Sequence, residues 1–292
     1  MTDIVGVALH CPLPRDEFDT AWAAIRLAEG VGERLLSHAL LSFTVRQKLP
    51  FELAPLHGLL LLTGPPGTGK TTLARGLANQ VAKHLPRTKT TYVEIDPHGL
   101  TSSSLGRSQQ AVVKLFEQTI PELAMGGATI VLLDELETLG VDRQKLSLEA
   151  NPIDVHRATD AVLTGMDRLA RQHKNILLIA TTNFPKAIDA ALVSRADHVE
   201  EIGLPGEEAR RDIIGDTLHA MASVWKDVGA LEADAGTLAK AAEGLDGRRI
   251  RKAIFAAAAS DMETARDPNK LTRGQIERVF RDVLATLKEI AS

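Results

Sequence analysis

One segment constrains this chain more than any other. Leu59-Leu60-Leu61-Leu62-Thr63 runs straight into Gly64-Pro65-Pro66-Gly67-Thr68-Gly69-Lys70-Thr71-Thr72. The apolar run predicts a strand buried on both faces, as in a parallel sheet. Gly64 to Thr71 satisfy G-x-x-x-x-G-K-[ST] at each fixed position. Gly64, Gly67 and Gly69 let the backbone turn tightly and aim its N–H groups at a phosphate. The helix that follows, with Leu73, Leu77, Val81 and Leu85 at helical spacing, points its positive dipole end at the same place. The spacing thus predicts a nucleoside triphosphate site, with Lys70 reaching the β- and γ-phosphates and the Thr71 hydroxyl ligating Mg²⁺.

The pattern around this segment alternates. Strands are predicted at 59–63, 90–95, 129–133 and 176–181, with a short one at 199–202; helices at 70–84, 108–120 and 154–171. Alternation of this kind predicts an α/β fold, a parallel sheet with helices on both faces. Upstream, 4–9 is a short strand candidate, and 16–29 and 31–48 read as two helices. Beyond Pro205-Gly206 the strands stop, and 207–228, 235–243, 248–262 and 272–290 read as helices. In the last of these Ile276, Val279, Phe280, Val283, Leu287 and Ile290 form an apolar stripe. Three parts are expected: an N-terminal helical segment (1–57), a large α/β subdomain (58–205) and an all-helical lid (206–292).

Composition narrows the classes of partner. A formal net charge of −4 and 3% aromatic residues argue against an electrostatic or base-stacking nucleic-acid surface. The one cysteine, Cys11, allows no intramolecular disulfide and no Cys-rich zinc site. No signal peptide and no apolar run of membrane-spanning length is read, so a cytoplasmic location is expected.

Four further stretches carry chemistry. The strand Ile130-Val131-Leu132-Leu133 ends in Asp134-Glu135. Asp134 is placed to complete the Mg²⁺ sphere with Thr71, and Glu135 suits a general base for the attacking water. Asn183, after the strand 176–181, can hydrogen-bond the γ-phosphate and that water, or is an ordinary loop residue. Arg195 lies before the last strand. There it serves a neighbouring subunit's triphosphate, or makes a surface salt bridge to Asp197. Gly247-Arg248-Arg249-Ile250-Arg251-Lys252 opens a lid helix with clustered positive charge, Arg248 being best placed to touch the triphosphate.

Together these residues resemble an AAA+ ATPase from about residue 25 to the C-terminus. Within that class three stretches resemble the pachytene-checkpoint / thyroid-receptor-interacting remodellers of HORMA-domain proteins: Asp134–Leu139, Asp154–Asp167 and Gly244–Lys252. The resemblance implies ATP and Mg²⁺ as ligands, Asn183 as first sensor, Arg195 as a finger acting in trans, and Arg248 as second sensor. It implies a homo-hexameric ring that grips a flexible segment of a HORMA protein and partly unfolds it. Short bacterial members accompany HORMA proteins and nucleotide cyclases in anti-phage signalling, which implies a negative regulator that takes HORMA–cyclase complexes apart. The gripping loop would be Ser104-Leu105-Gly106, where the family favours an aromatic residue; the segment 140–151 is a second candidate for that task. The Ser194-Arg195 pair also resembles clamp-loader subunits, which keeps a DNA-loading switch as the alternative, together with a remodeller of a non-HORMA protein.

Overall fold

The computed structural model describes residues 4–97, 99–100, 107–139 and 152–291. They form two compact units: Met1–Ile25, Gly30–Gly64 and Lys70–Ile202 in one, and Arg26–Glu29, Pro65–Gly69 and Gly203–Ser292 in the other.

The first unit is built on six strands: β1 (Val7–Leu13), β2 (Leu59–Thr63), β3 (Thr90–Ile95), β4 (Ala128–Leu133), β5 (Ile176–Thr182) and β6 (His198–Glu201). Their spatial order is β1-β3-β4-β5-β2-β6. Every pairing from β3 to β6 is parallel, as the alternating pattern predicts. The exception is β1, which pairs antiparallel along β3 from Val7 opposite Ile95 to Leu13 opposite Thr90. The sheet is therefore mixed, and the expected strand at 4–9 begins and ends later.

Helices α1 (Asp16–Ala24), α2 (Val31–Lys48) and α3 (Lys70–His84) come first along the chain. Then α4 (Arg107–Lys114) runs through a π-helical turn, Leu115–Thr119, into α5 (Ile120–Leu123); α6 is Pro152–Gln172 and α7 Ala190–Val193. Strand side chains alternate between faces. Leu59, Leu61, Val131, Leu133, Leu178 and Ala180 join Phe116, Val162, Met166 and Leu169 of the α4–α6 layer in one core. Leu60, Leu62, Ile130, Leu132 and Ile179, of opposite parity, are equally buried on the other face. There α3 packs on β1, β4 and β5. Helix α1 stops at Ala24 rather than continuing to Glu29: Ile25 is extended, and Arg26 pairs with Asp216 of the second unit, to which it belongs.

Asp197 is a keystone of this unit. Its carboxylate accepts backbone N–H bonds from His57 (2.8 Å), Gly58 (2.7 Å) and Leu59 (3.3 Å), closing the amino end of β2. Burial pushes its pKa up against those three donors. Asp197→Ala leaves the three donors unpaired. The expected cost is about 2–3 kcal/mol, read in calorimetry as a Tm lower by roughly 5–10 °C.

The second unit is helical: α8 (Glu207–Ala222), α9 (Ala235–Ala241), α10 (Gly247–Ala258), α11 (Met262–Arg266) and α12 (Arg273–Ala291). Ile214, Leu218, Leu238, Ile250, Ile254, Ile276 and Phe280 form its core. Three predicted helices end earlier than expected, the one over 235–243 by only two residues. α8 ends where Trp225 turns extended and packs on the core, the chain resuming as a 3₁₀ stretch, Lys226–Asp234. The helix expected over 248–262 ends at Ala258, and Asp261 caps a new helix by accepting from the Glu263 and Thr264 N–H groups.

Candidate nucleotide site

Strand order assembles the site. β5 lies between β4 and β2, with Leu133 opposite Ala180 and Thr63 opposite Thr182. The residues that leave these strands at their carboxyl ends are therefore neighbours: Asp134 and Glu135 after β4, Asn183 after β5, Gly64 after β2. This is the edge where open α/β sheets bind ligands.

The phosphate loop has the backbone its glycines permit, with φ of 139° at Gly64, 85° at Gly67 and 89° at Gly69. A Cβ at Gly64 would overlap the Ile202 carbonyl, and one at Gly67 the Asp246 carboxylate. At the start of α3, Lys70 is buried and donates through Nζ to the Gly64 carbonyl at 2.8 Å. Beside it the Thr71 hydroxyl donates to Asp134, 3.0 Å from Oδ1 and 3.1 Å from Oδ2. A hydroxyl and a carboxylate in contact are hard oxygen donors of the kind Mg²⁺ takes. Thr71 and Asp134 are the residues that would hold that ion, which would supply charge neutralisation to the phosphates. Pro65, Pro66, Thr68 and Thr72 complete the loop and first turn, with Thr68 folded back on the Pro65 carbonyl at 3.0 Å.

Glu135 is exposed and has φ 52° and ψ 56°. Among the described residues no other non-glycine has a positive φ. Such strain persists only where the surroundings over-determine it, and it concentrates at functional sites. Two residues that the motif patterns did not single out supply those surroundings. Thr181, on β5, donates to Asp134 Oδ1 at 2.5 Å and accepts the Glu135 N–H at 3.2 Å. Glu137, on the 3₁₀ turn Leu136–Thr138, accepts the Asn183 N–H at 3.2 Å, so the Asn183 backbone is tied to the segment carrying Glu135. The Asp-x-x-Glu spacing after β4 was the available sequence signal for Glu137; for Thr181 it was a hydroxyl two residues before the Asn.

Arg195 lies elsewhere. It precedes β6, whose His198 stands opposite Leu60 near the start of β2. Because β2 and β6 run parallel, Arg195 is at the amino end of the sheet and the phosphate loop at the carboxyl end. They are separated by the length of β2, roughly 15 Å for a strand of that size. The expected salt bridge to Asp197 does not form, since that carboxylate holds β2. Instead Arg195 pairs with Asp167 of α6, Nε to Oδ1 at 2.7 Å and Nη2 to Oδ2 at 2.8 Å. Nη1 donates to the Ala191 carbonyl at 2.8 Å, and His57 Nε2 reaches Asp167 Oδ1 at 3.1 Å. The Arg195 guanidinium, then His57, holds the Asp167 carboxyl below its usual range. A depressed carboxyl pKa means the pairing is intact above that range and is lost only as pH falls through the lowered value.

Arg248 is the second residue of α10 and is exposed. Its helix is capped by Asp246, a buried carboxylate that accepts the Arg249 N–H at 2.9 Å. Ser104, Leu105 and Gly106, and the segment 140–151, lie outside the described residues.

Comparison with known proteins follows the same lines. CD-NTase-associated protein 6 of Pseudomonas aeruginosa is 48% identical over 278 residues, covering 94% of this chain and 91% of that protein. Residues 60–204 match the family described as ATPase family associated with various cellular activities (AAA). The chain belongs to the AAA ATPase family. Within it, the likeness to pachytene-checkpoint proteins read from three sequence stretches is borne out. The putative pachytene checkpoint protein 2 of Caenorhabditis elegans is 35% identical over 226 residues, and this AAA ATPase spans about half of that relative's length, 53%. Among solved structures, that of C. elegans PCH-2 matches with a TM-score of 0.75 at 27% identity, covering 94% of this chain and 75% of that one. The structure of an E. coli MS115-1 HORMA:CdnC:Trip13 complex matches with a TM-score of 0.74 over 94% of both chains. At 19% identity it speaks for the fold. Among the described residues of this AAA ATPase, no helix is long and apolar enough to cross a membrane.

Proposed function

We propose that this AAA ATPase hydrolyses ATP as a cytoplasmic homo-hexameric ring that partly unfolds a HORMA-domain protein. In doing so it would separate HORMA–nucleotide cyclase complexes and restrain anti-phage signalling. The observation that carries this reading is the 48% identity to a CD-NTase-associated protein along nearly the whole chain. The fold it shares with the Trip13-containing complex agrees with it.

In this reading Gly64–Thr72 cradle the triphosphate and Lys70 neutralises its β- and γ-oxygens. Glu135 takes a proton from the water that attacks the γ-phosphorus, and Asn183 orients that water. ADP and inorganic phosphate leave. Arg195, at the far end of the sheet from its own loop, stabilises charge at the site of the adjacent subunit. Arg248 senses the nucleotide from the helical unit, and Ser104-Leu105-Gly106 grips the substrate.

A pull-down tests the partner. Tagged protein carrying Glu135→Gln, held in ATP, is incubated with lysate of the native host and its retained proteins are identified by mass spectrometry. A HORMA-fold protein, with or without a nucleotide cyclase, is the expected catch. Polymerase-clamp or replication proteins in its place would discard the HORMA assignment and favour the DNA-loading alternative.

A further inference from the structure

We propose that the Thr181 hydroxyl is the positioning group that sets Asp134 and Glu135 in their working geometry. A hydroxyl donates once and accepts through two lone pairs. Thr181 spends its donor on Asp134 Oδ1 at 2.5 Å, the short range of an O–H bond to a carboxylate, and accepts the Glu135 N–H at 3.2 Å. The side chain is 2% exposed, and branching at Cβ restricts its χ1.

The position in the sheet explains why one residue can serve both. β4 and β5 run parallel in register to Leu133 opposite Ala180. One residue further, Thr181 meets the point where the chain leaves β4. There Asp134 is held from two sides, by Thr71 from α3 and by Thr181 from β5. Glu135 then turns into the left-handed region at φ 52°, with its N–H anchored to the same hydroxyl. Without that anchor the Asp134 carboxylate is held from the α3 side alone, by Thr71, and the Glu135 N–H loses the hydroxyl it donates to. A valine of the same shape keeps the packing and removes both bonds.

The inference rests on the reading of Asp134 and Glu135 as Mg²⁺ ligand and general base. Its test compares Thr181→Val with Thr181→Ser. The first readout needs no turnover: calorimetric affinity for ATPγS, with Mg²⁺ and again in EDTA. In T181V the gain in affinity that Mg²⁺ brings is expected to shrink about 10-fold, and kcat to fall roughly 10–100-fold with KM for ATP little changed, the scale of losing a partner behind a metal ligand. T181S, which keeps the hydroxyl, is expected to restore both to within about 3-fold. Wild-type Mg²⁺ dependence and kcat in T181V would overturn the proposal, and so would a T181S protein no better than T181V. Should T181V fail to fold by thermal melting, Thr181→Ala removes the same hydroxyl and takes its place in the comparison. Glu135→Gln run alongside separates the levels: turnover in that variant would sink the catalytic reading itself, whereas an inert E135Q beside a normal T181V would sink only the role of Thr181.

Discussion

Glu135→Gln is expected to stop turnover while leaving ATP bound. Removing a general base costs about 10²–10⁴-fold in rate, or roughly 3–5 kcal/mol of barrier. Binding is expected to survive because the loop glycines, Lys70 and Thr71 are untouched, and the amide keeps the size of the carboxylate. Glu135 is exposed and strained at φ 52°. Phosphate release at steady state and calorimetric titration of ATP measure the two halves. Phosphate release at the wild-type rate would assign the base to another group.

Arg195→Ala is expected to be as damaging and, unlike the first variant, curable by mixing. An arginine supplied in trans is worth about 10³–10⁵ in rate. The substitution leaves each subunit's own phosphate loop intact, because Arg195 sits at the opposite end of β2. Lys70→Ala subunits have the reverse defect: a failed loop and a sound arginine. In mixed rings with head-to-tail interfaces, about a quarter of the junctions of an equal mixture pair a sound loop with a sound arginine. Activity is therefore expected to return to about that fraction of wild type. Two inactive proteins that stay inactive together would place Arg195 outside the neighbour's site. Arg195→Lys should not substitute. The two-pronged contact with Asp167, at 2.7 and 2.8 Å, needs the planar guanidinium, and a lysine offers one point charge.

The parts of the fold legible beforehand are those whose signal is local. β2, α3 and β3 begin and end at the residues the pattern predicts, because glycine and proline punctuate an all-leucine strand and a regular apolar stripe follows. β1 was misjudged for the converse reason. Its identity comes from antiparallel pairing with β3, some eighty residues away, and Cys11-Pro12-Leu13 carries no strand signature of its own. The π turn at Leu115–Thr119 was equally invisible, since the buried Val112, Phe116 and Ile120 recur every four residues, a spacing that an ordinary α-helix also shows.

The site divides in the same way. Lys70, Thr71, Asp134 and Glu135 announce themselves by residue type at fixed spacing, and the strand order brings their segments together. Thr181 and Glu137 act through contacts between strand ends and look like ordinary strand and turn residues in the sequence. For Arg195, nearness in sequence offered Asp197, two residues on, as the salt-bridge alternative to a role in trans. The fold commits Asp197 to the β2 backbone and brings Asp167 from 28 residues away.

The strand order also dictates when this sheet can exist at all. β2 pairs with β5 and β6 and has no earlier partner in the sheet. During synthesis Leu59–Thr63 therefore emerges as an apolar ribbon whose neighbours have yet to be made. At about 5–20 residues per second the wait is on the order of ten seconds. Through that interval the phosphate loop has no strand to spring from, and nucleotide cannot assist the nascent chain. Long-range pairing of this kind folds slowly and leaves sticky edges bare. The strand that later anchors the triphosphate is thus, for its first seconds, the part of the newborn chain most in need of a chaperone's cover.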